Sequence, residues 1–112
     1  MNLQYATQLP PAWLPIADVF AALGDENRQK IVLLFEYGEE LSIKNIVDAM
    51  PLSRTATVHH LTALKNANII SCRRKGKAVL YSLNEETVLH AMAMVQEYIA
   101  NRKPQAEPPP TP

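Results

Sequence analysis

The sequence predicts a mainly helical domain with one small β-hairpin. About five stretches carry apolar residues at helical spacing, and two runs of β-forming residues flank a glycine between Ile69 and Leu83. The chain has 112 residues, of which 47% are apolar. That size allows one compact core and is too small for two ordinary domains. We therefore expect a single domain of about five helices and a two-stranded hairpin.

The two ends of the chain differ from the segment between them. Residues 1–10, which end at the first of two adjacent prolines, predict a flexible N-terminal arm. Residues 104–112 contain five of the nine prolines and no large apolar residue. They predict a disordered Pro-rich tail, for which docking to a proline-reading partner is the less favoured alternative. The ordered domain is therefore expected over residues 11–103.

The first two predicted helices are separated by Gly24 and Asp25. The first helix carries an apolar stripe at helical spacing, formed by Trp13, Ile16, Ala17, Phe20 and Leu23. Gly24 fits the C-cap of this helix, and Asp25 fits the N-cap of the next one. We expect the second helix to continue to Gly38.

The next two predicted helices are short and close together. Ser42 is expected to cap the third helix, and Pro51 marks its end because proline lacks the N–H that a helix interior needs. A fourth helix is expected from about Ser53 to Asn66. Two such helices joined by a tight turn, and followed directly by a hairpin, predict the winged helix-turn-helix fold.

The hairpin and the last helix complete the predicted domain. Residues Ile69–Arg74 and Ala78–Leu83 are expected to pair in antiparallel fashion, with Gly76 supplying the conformational freedom of the turn. Asn84 is expected to cap the last helix. This helix has an apolar face too wide for the surface of a small monomer. We predict a homodimer whose interface uses both terminal helices, through Trp13, Ile16, Phe20, Val88, Met92, Val95 and Ile99.

Charge is distributed unevenly along the chain. The 11 basic and 11 acidic residues give a net charge of zero, but no acidic residue lies between Asp48 and Glu85. Six basic residues lie in this segment: Arg54, Lys65, Arg73, Arg74, Lys75 and Lys77. A basic segment within an otherwise acidic chain can present one basic face to a polyanion, which favours double-stranded DNA as the partner.

The predicted fourth helix has an apolar side and a polar side. Projection at helical spacing places Thr57, Leu61 and Leu64 toward the core. We expect the opposite side and the first turn to read DNA, through Ser53, Arg54, Thr55, His59 and Thr62. The wing is expected to contact phosphates or the minor groove through Arg73, Arg74, Lys75 and Lys77. The alternative for the helix is a solvated face without function, and His60 is expected to be a satisfied histidine at the edge of the core.

Two stretches of the chain carry a recognisable pattern: FAALGDENRQKIVLLF, at residues 20–35, and ELSIKNIVDAMPLSRTATVHHLTALKNANIISCRRKGKAVLYSL, at residues 40–83. The most specific phrases are Ala22-Leu23-Gly24-Asp25 with Arg28 and Ile31, and Leu52-Ser53 followed by His59-His60-Leu61 and Leu64. Through these motifs the chain resembles, over roughly Ile16 to Ile99, the ArsR/SmtB family of bacterial winged-helix repressors. Thr57 and Val58 depart from the family pattern of an apolar residue followed by serine. The resemblance implies a homodimer on the first and last helices, and a repressor that an inducer releases from an inverted-repeat operator.

Neither set of metal ligands of that family is complete at the matching positions, where Glu85 is the one credible ligand of the second set. Its Cys-x-Cys site corresponds to Ser42, Ile43 and Lys44, which cannot replace a thiolate pair. Its Asp, His, His and Glu site corresponds to Glu85, Thr87, Tyr98 and Asn101. His90 and Glu97 are two ligands without companions, and Cys72 is the only cysteine. We therefore expect no metal site and no cofactor, and the inducer stays unidentified.

Other classes of protein fit the sequence less well. It offers no nucleophile paired with a base, and its three glycines cannot form a phosphate-cradling loop, so we do not expect an enzyme. The first basic residue is Arg28, and no apolar stretch approaches the ~20 residues of a membrane span, which predicts a cytoplasmic protein without a membrane partner. The main alternative is a winged-helix module that binds another protein and not DNA. The acid-free segment favours DNA.

Overall fold

The computed structural model describes residues 1–103, which form six α-helices, one 3₁₀-helix at Pro11–Trp13 and one three-stranded antiparallel sheet. The helices are α1 Gln4–Thr7, α2 Leu14–Leu23, α3 Glu26–Leu33, α4 Ile43–Ala49, α5 Arg54–Asn66 and α6 Glu85–Ala100. The strands are β1 Leu41–Ser42, β2 Ile70–Lys75 and β3 Ala78–Leu83. This confirms the predicted fold class and adds three short elements: the single turn α1 inside the predicted arm, the 3₁₀-helix and the strand β1. The predicted tail, residues 104–112, lies outside the described residues.

Side-chain caps begin the central helices where the sequence predicts them. The Asp25 carboxylate accepts a hydrogen bond from the backbone N–H of Arg28 at the start of α3. Ser42 and Asn45 form a reciprocal capping box on α4, and the Ser53 hydroxyl accepts from the backbone N–H of Ala56 on α5. These bonds satisfy N–H groups that have no partner inside the helix.

The end of α3 differs from the prediction. The regular helix stops at Leu33, and the chain continues to Gly38 in tighter turns. The N–H of Phe35 donates to the carbonyl of Val32, and the N–H of Gly38 donates to the carbonyl of Phe35. Gly38 has a φ of +73°, a conformation that glycine adopts without strain. The chain therefore turns at Gly38, where the helix was predicted to end, but the regular helix ends five residues earlier.

The wing is part of a three-stranded sheet whose order is β1-β3-β2. β2 pairs with β3 along its whole length, from Ile70 opposite Leu83 to Lys75 opposite Ala78. Only Gly76 and Lys77 remain in the turn, and Gly76 has the positive φ of +62° that such turns require. β1 pairs with the other edge of β3, so the base of the wing is hydrogen-bonded to the residues that start α4.

Asn84 does not cap α6, because its side chain has other partners. Its amide nitrogen donates to the carbonyl of Asn68 at 2.9 Å, and its amide oxygen accepts from the Ser71 hydroxyl at 3.2 Å. Its backbone N–H donates to the carbonyl of Ile69 at 2.8 Å. Asn84 therefore ties the start of α6 to the segment that leaves α5.

The core lies between the helices α2 to α6 and the sheet. Its most deeply buried side chains are those of Ile31, Ile46, Thr57, Leu61, Leu64, Ile69 and Ile70. Ile16 of α2 belongs to this core and is only 3% exposed. The prediction that Ile16 contacts a partner subunit is therefore wrong, because its side chain is enclosed by the protein's own core, whereas Phe20 of the same stripe is exposed. Within residues 1–103, no helix has the length and apolar character that crossing a membrane requires.

Candidate nucleic-acid interface

The helix α5 has one buried side and one exposed side. Thr57, Leu61 and Leu64 are buried, and the Thr57 hydroxyl donates to the carbonyl of Ser53 at 2.9 Å. This bond explains how a threonine is tolerated at a core position, since the buried hydroxyl has its partner inside the helix. Thr55 and His59 are exposed on the opposite side, as the projection predicts, and so are Thr62 and Asn66.

The side chains on the exposed side differ in their hydrogen-bonding state. Within the described part of the chain, Arg54, Thr55 and His59 make no side-chain hydrogen bond or ion pair. The Thr62 hydroxyl donates to the carbonyl of Val58 at 2.9 Å, so it can offer an external ligand only its lone pairs. The Ser53 hydroxyl accepts a backbone N–H and keeps its own proton to donate. Arg54, Thr55 and His59 therefore form the freest polar group on this surface.

The predicted wing cations do not form a uniform group. The guanidinium of Arg73 makes two hydrogen bonds to the carboxylate of Glu40, from Nε to Oε2 at 2.7 Å and from Nη2 to Oε1 at 2.6 Å. These bonds lower the pKa of Glu40 and raise that of Arg73. Arg74, Lys75 and Lys77 are exposed around the turn, without an ion pair among residues 1–103. Three of the four wing cations are thus available, and one is held by a carboxylate from outside the acid-free segment.

A polar cluster joins α5 to the start of α3. The Nε of Arg28 donates to the Nδ1 of His60 at 3.2 Å, and the Asp25 Oδ1 lies 4.0 Å from the same nitrogen. The backbone N–H of Arg28 is the main cause of the lowered pKa of Asp25. The His60 side chain is only 14% exposed and has a partner, as expected for a satisfied histidine at the edge of the core. The sequence did not predict that its partner is Arg28, which lies 32 positions away.

The apolar face of α6 is mostly uncovered in the single chain. Ala91 is its one buried residue, whereas Met92 is 57% exposed and Ile99 is 56% exposed. Val88 and Val95 are half-buried. From α2 and the turn before it, Phe20 is exposed and Trp13 is half-buried, with the Trp13 ring packed edge-to-face on Tyr98. The structure also exposes Leu89 and Tyr98, which the predicted interface did not include.

The positions that match the family's metal sites carry side chains with other roles. Ser42 caps α4, and the Lys44 ammonium forms an ion pair with Asp48 at 2.7 Å. Cys72 is half-buried on β2, opposite Tyr81 of β3. Over residues 1–103, no three His, Cys, Asp or Glu side chains gather in a group that could hold a metal ion.

Comparisons with known proteins agree with this architecture. The family described as "Bacterial regulatory protein, arsR family" matches residues 25–71. A cadmium resistance regulatory protein, the CadC homolog of Staphylococcus aureus, is 37% identical over 75 residues, which are 67% of this chain and 62% of that protein. The chain thus spans less than two thirds of that relative's length.

Two further matches cover more of the protein compared. The transcriptional repressor SdpR of Bacillus subtilis is 33% identical over 82 residues, which are 73% of this chain and 90% of that protein. The homodimeric winged helix-turn-helix DNA-binding domain Mb0332 of Mycobacterium bovis has a TM-score of 0.64 and 26% identity. The structural match covers 89% of this chain and 87% of the M. bovis chain.

Proposed function

Because the chain belongs to the arsR family of bacterial regulatory proteins, we propose that it is a cytoplasmic transcriptional repressor that binds double-stranded DNA as a homodimer. The family comprises transcriptional regulators and not enzymes. The operator is proposed to be an inverted repeat, since the two-fold symmetry of a dimer presents two equivalent recognition helices.

The observation that carries the proposal is the two-sided character of α5. Its inner side is packed against the core, while Arg54, Thr55 and His59 point outward without partners among the described residues. In a helix-turn-helix, the start of the second helix meets the base edges in the major groove. Arginine, threonine and histidine offer donors and acceptors suited to bases and phosphates. We infer that this surface reads the operator sequence.

The wing supports the proposal from a second side. Arg74, Lys75 and Lys77 surround a tight turn at the end of an exposed hairpin. Such cations are suited to phosphate contacts, which strengthen binding without specifying sequence. Glu40 holds Arg73 at the base of the hairpin, so we assign Arg73 a smaller share of this role than the sequence alone suggests.

The proposed dimer rests on the uncovered apolar face of α6. Met92 and Ile99 are large apolar residues exposed on a helix whose one fully buried residue is Ala91. Burying such a face against a second copy removes it from water. The similar domain from M. bovis is homodimeric, which agrees with this assignment. We further propose that regulation does not use a metal, because Ser42 and Lys44 cannot act as the thiolate pair.

The test is selection of duplexes from a random pool, followed by affinity measurements on the selected duplex and a scrambled one over a range of salt concentrations. Thr55→Ala is expected to reduce the preference for the selected duplex. Arg102→Ala, which removes a cation outside the proposed surface, is the matched control and should leave the preference unchanged. Equal binding to both duplexes at low salt would reject sequence-specific recognition and favour the protein-binding module.

A further inference from the structure

We propose that Arg28 and His60 are positioning residues for DNA reading, and that their hydrogen bond makes operator binding weaken through His60 as the pH falls. The inference rests on the proposed DNA-binding function of α5. It concerns two side chains that face away from the DNA and act on the orientation of the helix that contacts it.

The direction of the hydrogen bond fixes the charge state of His60. A guanidinium has donors only, so in the contact at 3.2 Å the Nε of Arg28 donates and the Nδ1 of His60 accepts. An imidazole nitrogen can accept only when it carries no proton. The contact therefore requires the neutral ring, with its proton on Nε2.

The same arginine side chain joins three helices. Its Nε reaches His60 on α5, its Nη1 approaches the carbonyl of Ala22 on α2 at 3.5 Å, and Arg28 itself lies in the first turn of α3. The remaining contacts of α5 with the core are largely apolar, and apolar attraction is non-directional. A hydrogen bond depends steeply on distance and angle. The bond to Arg28 is thus the contact best suited to fix the rotation of α5 about its axis.

His60 is adjacent to the outward side of the same helix. It follows His59 directly in sequence, and the two ring centroids are 6.0 Å apart. A rotation of α5 that moves His60 therefore moves His59 as well. Contacts to base edges need placement within about 0.5 Å, so a small rotation is enough to weaken them.

Protonation of His60 is expected to replace its contact with Arg28 by a contact with Asp25. The charged groups that face the ring are Arg28 and Asp25 from α3, with His59 beside it on α5; Asp18 of α2 lines a shallow cavity next to Arg28. Protonation removes the acceptor for Arg28 and brings two cations together. The protonated Nδ1 then favours the Asp25 carboxylate, which is 4.0 Å away in the neutral arrangement. The ring has to turn to reach it, and α5 loses its link to Arg28.

The key variant is His60→Asn, because its amide oxygen can accept from Arg28 near the position of Nδ1 but does not titrate. We measure the dissociation constant for the selected duplex from about pH 8 to about pH 5.5, the range in which histidine changes charge. His60→Asn should bind like the unsubstituted protein at the upper end. It should bind about tenfold more tightly than that protein at the lower end, from the value of one hydrogen bond to a charged group.

Two further variants separate positioning from charge. His90→Asn removes an exposed histidine on α6, and its affinity relative to the unsubstituted protein should not change with pH. Arg28→Met removes the donor and should weaken specific binding at about pH 8 while the binding of scrambled duplexes changes little. Urea unfolding at each pH identifies the folded fraction, so that lost affinity is not attributed to unfolding.

The outcomes distinguish this inference from the proposed function. If the unsubstituted protein prefers the selected duplex but its affinity ratio to His60→Asn is constant across the pH range, the positioning inference is wrong and the DNA-binding function stands. Unchanged specific binding by Arg28→Met would also overturn it. If the unsubstituted protein shows no preference at about pH 8, both are rejected.

Discussion

The helices α5 and α6 are both amphipathic, yet they use their apolar faces in different ways. α5 packs Thr57, Leu61 and Leu64 into the core of its own chain and turns polar groups outward. α6 packs Ala91 inward and leaves large apolar side chains on its surface, Met92 among them. The apolar face of α5 is thus covered by its own chain, whereas most of the apolar face of α6 is exposed. The exposed faces therefore differ in the partner that they suit: the polar face of α5 suits a nucleic acid, and the apolar face of α6 suits another protein surface.

The largest expected effect is the separation of the dimer by a charge on α6. Met92→Asp should weaken dimerisation by about 3–5 kcal/mol, because an unpaired carboxylate in an apolar interface loses its hydration without compensation. Sedimentation at micromolar concentration should show a monomeric mass. Leu33→Asp is the matched control, since Leu33 is highly exposed on α3 and outside the predicted interface. A monomeric mass for the unsubstituted protein, or equal separation by Leu33→Asp, would contradict the assignment of α6.

The next effect tests the inner side of α5 against the outer side of α6. Leu61→Ala should reduce the free energy of unfolding by about 2–5 kcal/mol, because Leu61 is buried and its truncation leaves a cavity. Leu89→Ala on α6 truncates an exposed leucine and should cost about 0.5 kcal/mol or less. Both are measured by urea unfolding in the Met92→Asp background, so that burial of α6 against a second copy does not contribute to either loss. Equal losses would remove the distinction between the two helices.

Substitutions on the outer side of α5 should change sequence preference. Replacing Thr55 or His59 by alanine should cost on the order of 1–3 kcal/mol at one or two base pairs of each half-site. The salt dependence should hardly change. A contact from His59 to a phosphate or guanine should strengthen as the pH falls toward about 6, which is opposite to the effect expected of His60. Titration of each variant against duplexes with single base changes tests this, and a uniform loss over all sequences would place these residues elsewhere.

The wing should respond in the opposite way to the outer side of α5. Alanine at Arg74, Lys75 or Lys77 should weaken all duplexes nearly alike and reduce the salt slope by about one unit for each lost phosphate contact. Arg73→Ala should change the slope less, because Glu40 already holds this guanidinium. Arg73 lowers the pKa of Glu40, so the pair is intact at neutral pH. Glu40→Gln should weaken this ion pair, free Arg73 for a phosphate and make the salt dependence of DNA binding steeper. If Arg73→Ala and Arg74→Ala reduce the salt slope equally, the ion pair has no effect on DNA binding.

Metal ions are expected to have no effect on DNA binding. Zinc, cadmium, cobalt and chelators should leave operator affinity unchanged, because neither ligand set of the family is present at its expected positions. The measurement is a titration of the DNA complex with each metal. A tenfold loss of affinity, or a stoichiometric bound metal with ordinary ligand geometry, would contradict the prediction.

The sequence predicted those features that depend on neighbouring residues. Asp25, Ser42 and Ser53 each begin a helix through a contact with a residue three positions later, which is visible as local spacing. The inner and outer sides of α5 follow from helical periodicity in the same way.

Features that depend on contacts between residues far apart in the sequence were not predicted. Strand β1 has two residues, too few for an alternating pattern, and exists because β3 is beside it. The pairing of Arg73 with Glu40 spans 33 positions. Ile16 has the spacing of an interface stripe, but the packing of α2 on the core decides which side of that stripe is covered. Periodicity identifies an apolar face, and only the assembled fold identifies what covers it.

The hydrogen bonds of Asn84 have a geometric consequence for a dimer. They connect Asn84, the residue before α6, to Asn68 and Ser71, which follow the end of α5. We therefore expect α5, the proposed DNA-reading helix, and α6, the proposed dimer helix, to keep a fixed relative orientation. In the proposed dimer, the angle at which two copies of α6 cross would then set the distance between the two copies of α5. That distance has to match successive major grooves on one side of the duplex, roughly 34 Å apart.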